Sequence, residues 1–447
     1  MPTPFVCTIG RKNRDYTHLS TWENAIKCNL TASTTKVYSC TKSTGNTYPL
    51  RDSSTVYLYS GNVKLDCTAK LHHATESQAL LSNIKGSVAP QIGHSFRESL
   101  KHDYITLTDN GDSVIAVAEC YNDTLEDLWD NVTFKGWKTS SDNYIKIYTP
   151  TEERHTGVEG TGFSIYNPGI NDIITLYDVD VVIEGIEFKG GAKQIACIYT
   201  SPKTITINSC ILHDNYYGPL IAPPKIAGAV IKIYNCIMYD SRQSVISSCS
   251  PSTLYVENCT IYNPGFGYGV VDGQCYNVVV FRSNNSIACF GSNTTGDYNC
   301  DGTSSGLDGT APGGHSLHNT SLRDINWYNV VDYRTAMNFF TCEGSVLINR
   351  GITRKEGDIG FNTDILGVTR EGYYWDIGAF QAGGSSAYSS SSSSFSSESS
   401  SSSSFSSFSS SYSSSSSSSE SVAEYLLLRT QADLLRLRDW QQRGRIR

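Results

Sequence analysis

The sequence predicts an all-β fold, a right-handed parallel β-helix, and the main evidence is a short repeat between residues 181 and 289. Each repeat joins β-branched residues to a small or polar turn, and its isoleucines alternate as in a strand. A unit this short cannot bury its apolar face alone, so units should stack as successive coils. The aligned segments, at steps of 24, 26 and 23 residues, are Ile183-Glu-Gly-Ile186, Ile207-Asn-Ser-Cys210, Ile233-Tyr-Asn-Cys236 and Val256-Glu-Asn-Cys259.

Composition agrees with a β-rich chain and excludes several functions. The 447 residues include 28 Tyr and 37 Gly but only 3 Met, which suits sheets and turns. A net charge of −8 argues against general nucleic-acid binding. No apolar run approaches the roughly 20 residues of a membrane span. The first residues, Met1 to Cys7, do not form a secretory signal, so we expect synthesis in the cytoplasm.

The fourteen cysteines are predicted to be reduced packing residues. Cys210, Cys236 and Cys259 occupy one column of the repeat, where stacked coils would place them one above another. Because a thiol behaves as a small hydrophobic group, such a column suits a buried core better than a disulfide framework.

The N-terminal part is predicted to contain a cap, residues 1–29, and an inserted lobe, residues 30–112. Residues 17–28 indicate an amphipathic helix with Leu19, Trp22 and Ile26 on its apolar face, and a Ser20/Glu23 capping box. This helix would cover one end of the coils. In the lobe the repeat is lost, and only residues 57–59 and 104–108 are typical of strands.

The coils are predicted over residues 113–381, with regular strands resuming at residues 114–118 and 144–148. At about 25 residues per coil, this region holds roughly eight to ten coils. Residues 382–421 are almost pure serine, which predicts a flexible linker.

Residues 422–447 predict a C-terminal amphipathic helix that binds a partner. Arginines supply its other faces, and an isolated helix of this length is marginal in water. The apolar stripe of this helix should therefore bind another copy of the chain or a groove on a larger assembly. Packing against its own β-helix and binding to a membrane surface are the alternatives. The apolar stripe consists of Val422, Tyr425, Leu427, Leu428, Leu434 and Leu435.

Several motifs resemble right-handed parallel β-helix proteins of the pectate-lyase-like type, encoded by tailed phages and environmental bacteria. The resemblance covers most of residues 5–381 and implies a fibre, spike or decoration protein of a virion. In those relatives the Trp-Glu helix leads almost directly into the Val-Ala-Glu strand, so the lobe is a departure. The motifs are Thr8-Ile-Gly, Asp15-Tyr16, Leu19, Trp22-Glu23, Ala25, Val117-Ala-Glu-Cys-Tyr-Asn122, Tyr144-Ile-Lys-Ile-Tyr-Thr-Pro-Thr-Glu-Glu-Arg154 and Trp375-Asp-Ile-Gly-Ala-Phe380.

One column of carboxylates is the candidate for catalysis. Asp214 and Asp240 each lie four residues beyond a repeat cysteine, and Asn263 takes the same place in the next coil. Carboxylates on adjacent coils would couple their protonation, as glycan-cleaving acid and base pairs do. Asp and Asn are also the residues that a turn after a strand prefers, and this turn interpretation is the alternative.

A second motif has the spacing of a calcium loop. Asp297, Asn299, Asp301 and Asp308 occupy positions one, three, five and twelve, and Gly302 takes the sixth. The alternative is a solvated loop, because the flanks do not predict helices. Apart from this structural calcium, no cofactor motif appears.

Taken together, these features predict a non-enzymatic structural protein on the surface of a phage-like particle, with host-surface or glycan adhesion. Its expected partners are other virion proteins, a glycan or receptor, and further copies of itself. The alternatives are a polysaccharide-degrading lyase or hydrolase using Asp214 and Asp240, and a bacterial surface adhesin.

Overall fold

The computed structural model describes residues 2–124, 126–282, 288–303, 309–329, 337–353, 362–370, 372 and 374–382. All of the described residues belong to one compact unit. The predicted linker, apart from Ala382, and the whole predicted C-terminal helix lie outside the described residues.

The chain opens with strand β1 (Thr3–Ile9) and helix α1 (Leu19–Ile26). Leu19, Trp22 and Ile26 are buried in the core, as the sequence predicts. The predicted capping box is wrong, because the helix begins after His18 and no side chain caps it. The Glu23 carboxylate instead accepts a 2.9 Å hydrogen bond from the indole of Trp137.

Residues 36–107 form a small antiparallel barrel, which we call the lobe. It closes in the order β2-β5-β4-β3-β6-β7 and encloses a hydrophobic core of its own. The two strands predicted in this region are confirmed, whereas the barrel was not predicted. Its strands are β2 (Lys36–Ser43), β3 (Thr55–Ser60), β4 (Val63–Ala74), β5 (Gln78–Gly86), β6 (Ser95–Arg97) and β7 (Tyr104–Leu107).

Beyond the lobe the chain winds through short parallel strands, with a 3-10 turn at Thr151–Glu153. These strands are β8 (Val114–Cys120), β9 (Leu128–Trp129), β10 (Val132–Phe134), β11 (Ile145–Tyr148), β12 (Ser164–Asn167), β13 (Ile174–Tyr177), β14 (Val181–Glu184), β15 (Glu187–Gly190), β16 (Ile195–Ile198), β17 (Thr204–Asn208), β18 (Ile211–His213), β19 (Ile221–Ala222), β20 (Val230–Tyr234), β21 (Ile237–Tyr239), β22 (Thr253–Glu257), β23 (Thr260–Tyr262), β24 (Val270–Tyr276), β25 (Val279–Arg282), β26 (Phe290–Asp297) and β27 (Cys300–Thr303).

These strands form three long parallel sheets. Sheet 1 has the order β1-β8-β11-β14-β17-β20-β22-β24-β26, sheet 2 has β10-β13-β16-β19, and sheet 3 has β27-β25-β23-β21-β18-β15-β12-β9. The chain passes from sheet 1 to sheet 3 and then to sheet 2 before it returns, as in β14, β15, β16 and β17. This mostly β arrangement is compatible with a parallel β-helix.

Equivalent positions of the sequence repeat pair with one another on neighbouring strands of sheet 1. Ile183 pairs with Ile207, Ile207 with Ile233, and Ile233 with Val256. The repeat cysteines are fully buried in the core that the three sheets enclose. All fourteen cysteines belong to the described residues, and none of them forms a disulfide.

Among the described residues, the last strand of the three sheets ends at Thr303, and Leu317 makes one further parallel bridge, with Cys300. The described residues beyond it form no other strand of these sheets, whereas the sequence predicted coils to residue 381. The chain then forms α2 (Leu322–Ile325) and the antiparallel pair β28 (Trp327–Asn329) and β29 (Asn338–Thr341).

This C-terminal segment packs on the outer face of sheet 3. Residues such as Leu212 face the enclosed core, whereas the alternate residues of the same strands form a second apolar cluster. Phe339 and Phe380 join that cluster, and the amide of Gly378 donates to the carbonyl of Asn277 at 2.8 Å. The closing Trp375–Phe380 motif is therefore part of a covering layer.

No helix among the described residues is long and apolar enough to cross a membrane.

Candidate functional site

The predicted carboxylate column exists and lies at the end of three neighbouring strands of sheet 3. Asp214, Asp240 and Asn263 each follow their strand directly and have left-handed backbone φ angles of 57°, 49° and 48°. Asn263 Nδ2 donates to Asp240 Oδ1 at 2.7 Å, which links two coils. Asp and Asn tolerate this conformation better than most residues, so the turn interpretation accounts for the residue types.

The carboxyl group of Asp240 is suited to hold a proton near neutral pH. Burial raises its pKa to about 6, the negative charge of Asp214 adds to the rise, and the hydrogen bond from Asn263 opposes it. Asp214 differs, because about half of its side chain is exposed. Two carboxyl groups in such different environments can take different protonation states.

A buried histidine lies beside this column. The side chain of His213 is fully buried, and its Nε2 lies 3.0 Å from Oε1 of Glu187, which is also buried. Its Nδ1 lies 3.2 Å from Asp214 Oδ2 and 3.6 Å from Glu159 Oε2. Burial alone would lower the pKa of His213, but Asp214 and Glu187 raise it to about 10. The ring is therefore an imidazolium between carboxylates at neutral pH.

Glu159 connects this cluster to the outer face of sheet 3. Its Oε2 accepts a 2.6 Å hydrogen bond from the hydroxyl of Tyr239, whose ring stacks on His213 with centroids 4.7 Å apart. Phe339 also packs against Tyr239, with ring centroids 5.3 Å apart. Glu159, His213 and Asp214 place their ligand atoms within 4.8 Å of one another and could hold a cation.

An open groove of about 460 Å³ lies in the turns that follow the same strands. Two of its aromatic rings are strongly exposed, Tyr217 at 56% and Phe266 at 71%. The guanidinium of Arg242 lies 5.7 Å from the Phe266 ring centroid. The groove is lined by Tyr216, Tyr217, Arg242, Gln243, Ser244, Phe266 and Gly267.

Further aromatic residues continue from the groove toward the first coils. The hydroxyls of Tyr216 and Tyr166 lie 3.3 Å apart, and Tyr166 packs edge-on against Trp129 at 6.2 Å. Trp129 is 64% exposed. These residues belong to different coils; Tyr166 is buried between them, and the exposed rings are those of Tyr216 and Trp129. Trp137, by contrast, is buried and unable to stack on a ligand.

The side chains of the predicted calcium loop make hydrogen bonds within the protein. Asp297 accepts from the amides of Tyr298 and His315, and Asp301 is fully buried and accepts from Gly309, Ala311 and Asn319.

Asn299 lies inside the stack, where its Nδ2 donates to the Cys275 carbonyl at 2.9 Å. Asp308 lies outside the described residues, so the calcium loop stays a prediction.

Sequence reasoning found Asp214 and Asp240 through the coil period but missed Glu159, Glu187 and the groove. Glu187 begins a strand of the same sheet, and Glu159 lies in a loop outside any repeat. The adjacent Tyr216 and Tyr217, in a turn one coil before Arg242, were the available signal for the groove.

The apolar stripe predicted to bind a partner, Val422, Tyr425, Leu427, Leu428, Leu434 and Leu435, lies outside the described residues. Its role also stays a prediction.

No family model, no curated protein and no solved structure matches this chain. The resemblance to phage β-helix proteins therefore stays a prediction as well.

Proposed function

We propose that this chain is a non-enzymatic, glycan-binding structural protein of a phage-like particle. In this proposal it is a right-handed parallel β-helix with an inserted lobe, and its C-terminal helix attaches it to other virion proteins. The observation that carries the proposal is the groove with exposed Tyr217 and Phe266 rings beside Arg242.

The chemistry of the groove suits a carbohydrate. Exposed aromatic rings offer flat apolar surfaces on which the apolar faces of sugar rings can stack. Arg242 and Gln243 supply donors for sugar hydroxyls, and the groove volume is within the usual range for ligand sites. Because Trp129, several coils away, offers a further exposed ring, an extended polysaccharide suits this surface better than a single sugar.

Two sequence features support the attachment to a particle. The serine-rich tract at residues 382–421 suits a linker, and the apolar stripe at residues 422–447 suits a partner helix or groove. The resemblance of the coil motifs to virion β-helix proteins points the same way.

Glycan binding is tested by microarray and calorimetry with the full chain against a panel of capsular and algal polysaccharides. At least one polysaccharide should bind, and Tyr217→Ala and Phe266→Ala should each weaken binding about tenfold, which corresponds to a loss of about 1.4 kcal/mol of binding free energy. Tyr48→Ala removes an aromatic side chain of similar exposure from the lobe and should have no effect. Equal binding by all four proteins would contradict the proposal.

Attachment is tested by deleting residues 422–447. The truncated chain should keep its folded coils but fail to enter the particle, and normal incorporation would refute the role of this segment.

A polysaccharide-degrading enzyme is the second candidate, and the environment of Asp240 favours it. A carboxyl group with a pKa of about 6 beside the more exposed Asp214 has the properties of a general acid next to a base or nucleophile. The column lies only a few residues from the groove in each coil, so a bound glycan would approach it.

An activity assay separates the two candidates. The full chain is incubated with the same polysaccharides, and new reducing ends or unsaturated sugars are measured. Turnover that is lost in Asp240→Asn would establish the enzyme. Binding without turnover at pH 5–8 supports the structural protein.

A further inference from the structure

Three potential metal ligands meet where the N-terminal strand contacts the lobe. Cys7 comes from β1, Asp15 from the loop before α1, and His73 from the long lobe strand β4. The Cys7 Sγ, a carboxylate oxygen of Asp15 and an imidazole nitrogen of His73 all lie within 4.8 Å of one another. This site is separate from the groove and from the carboxylate column.

Two buried polar atoms around this cluster lack a hydrogen-bond partner among the described residues. One is Nε2 of His73, which lies 3.6 Å from Asp15 Oδ1. The other is the indole Nε1 of Trp22, a fully buried side chain beside the Cys7 thiol. Leaving a buried donor or acceptor unpaired is costly, so each such atom requires an explanation. A cation held by Cys7 and His73 would use the lone pair of Nε2, and the resulting thiolate would accept from Trp22.

The ligands are already oriented by a second layer of hydrogen bonds. Nδ1 of His73 lies 2.9 Å from Asp52 Oδ2, so Nδ1 carries the proton and Nε2 can present its lone pair. Oδ2 of Asp15 accepts from the amide and the hydroxyl of Thr8, at 2.7 and 2.9 Å, which directs Oδ1 toward the cluster. In zinc sites, a ligating histidine commonly donates its other ring N–H to a carboxylate, which fixes the orientation of the ring.

We propose that Cys7, Asp15 and His73 bind one divalent transition-metal ion of the zinc type. Cys, His and Asp side chains each bind zinc, and three protein ligands leave the fourth tetrahedral position to a water molecule. Since the ligands come from the first coil, the following loop and the lobe, the ion fixes the lobe to the end of the coils.

The test loads the purified full chain with Zn²⁺ or Co²⁺, removes excess metal, and measures metal per chain by mass spectrometry. We expect one ion per chain and, with Co²⁺, a thiolate-to-metal charge-transfer band. Cys7→Ala should abolish the band and the bound metal. Cys28→Ala, which removes another buried thiol near the N-terminus but outside the cluster, should leave both unchanged.

Asp52→Ala tests the supporting carboxylate and should weaken metal affinity about 10–100-fold while the fold remains. As a second measurement, Zn²⁺ should raise the thermal unfolding midpoint of the unmodified chain and of Cys28→Ala, but not that of Cys7→Ala. No retained metal in the unmodified chain, or equal retention in Cys7→Ala, would overturn the proposal.

Discussion

Replacing Glu187 with glutamine should destabilise the protein strongly, because this carboxylate neutralises a buried imidazolium. Oε1 faces Nε2 of His213 at 3.0 Å and Oε2 accepts from the amide of Gly160 at 2.7 Å. Both oxygens receive N–H donors, so a glutamine must direct its own NH₂ group at one of them. Only 2% of the Glu187 side chain and none of the His213 side chain is exposed, so water does not screen the loss.

The expected cost is about 3–5 kcal/mol, the usual effect of removing one partner of a buried ion pair. It is measured as the change in free energy of unfolding in urea at pH 7.5. Glu126→Gln is the control, because Glu126 pairs with Arg11 at the surface, where 72% of its side chain is exposed. That change should cost at most about 1 kcal/mol.

The pH dependence gives a second readout of the same pair. Because the pKa of folded His213 is raised to about 10, its contribution to stability is complete below the unfolded value of 6.5 and is lost as pH rises toward 10. Glu187→Gln should therefore flatten the loss of stability between pH 7 and 10. If the Glu187→Gln variant unfolds at the same urea concentration as the unmodified chain, and its stability depends on pH in the same way, the buried ion pair is refuted.

Other substitutions test the packing and the backbone. His155 is buried in its neutral form, and burial lowers its pKa to about 4, so the free energy of unfolding should fall as the pH drops from 6.5 toward 4. His155→Gln should reduce this fall in acid unfolding curves. An unchanged pH slope in this variant would contradict the prediction. Ile207→Ala removes a fully buried side chain from the stacked column and should cost about 2–5 kcal/mol in urea unfolding, whereas a cost below 1 kcal/mol would argue against tight coil packing. Gly296→Ala should destabilise the protein by about 1–3 kcal/mol more than Gly344→Ala. A Cβ at Gly296 would lie 1.8 Å from the Cys275 carbonyl oxygen, whereas a Cβ at Gly344 would meet no atom within 4 Å. Equal thermal midpoints of the two variants would contradict this difference.

Periodicity made the coils predictable from sequence. Ile207 and Ile233 sit in register because each coil repeats the same alternation, and the cysteines follow from the same period. The lobe has no repeat, and its antiparallel pairings join strands of unequal length, so only two of its strands could be predicted from the sequence. The closing motif at residues 375–380 was misread as a coil, because apolar residues that cover a sheet resemble those that form one.

The candidate site was predictable only where it follows the coil period. Asp214 and Asp240 stand at equivalent turns, and their column was visible in the sequence. Glu159 reaches the site from an irregular loop, and His73 joins Cys7 only through the folding of the lobe. Such contacts depend on tertiary structure and leave no spacing to detect.

The stacking of consecutive coils in register underlies the groove, because its lining residues come from three neighbouring coils. Thr206 pairs with Lys232, and Lys232 with Tyr255, on three neighbouring strands of sheet 1. Paired strands lie about 4.8 Å apart, within the range for a disulfide, whereas residues two coils apart are separated by about twice that distance.

The most direct measurement is oxidative crosslinking of paired cysteine substitutions in the full chain, quantified by peptide mass spectrometry. Thr206→Cys with Lys232→Cys should form a disulfide rapidly and nearly completely in the folded protein, and Thr206→Cys with Tyr255→Cys should not. Equal crosslinking of the two pairs, or none in the first, would contradict the stacked coils.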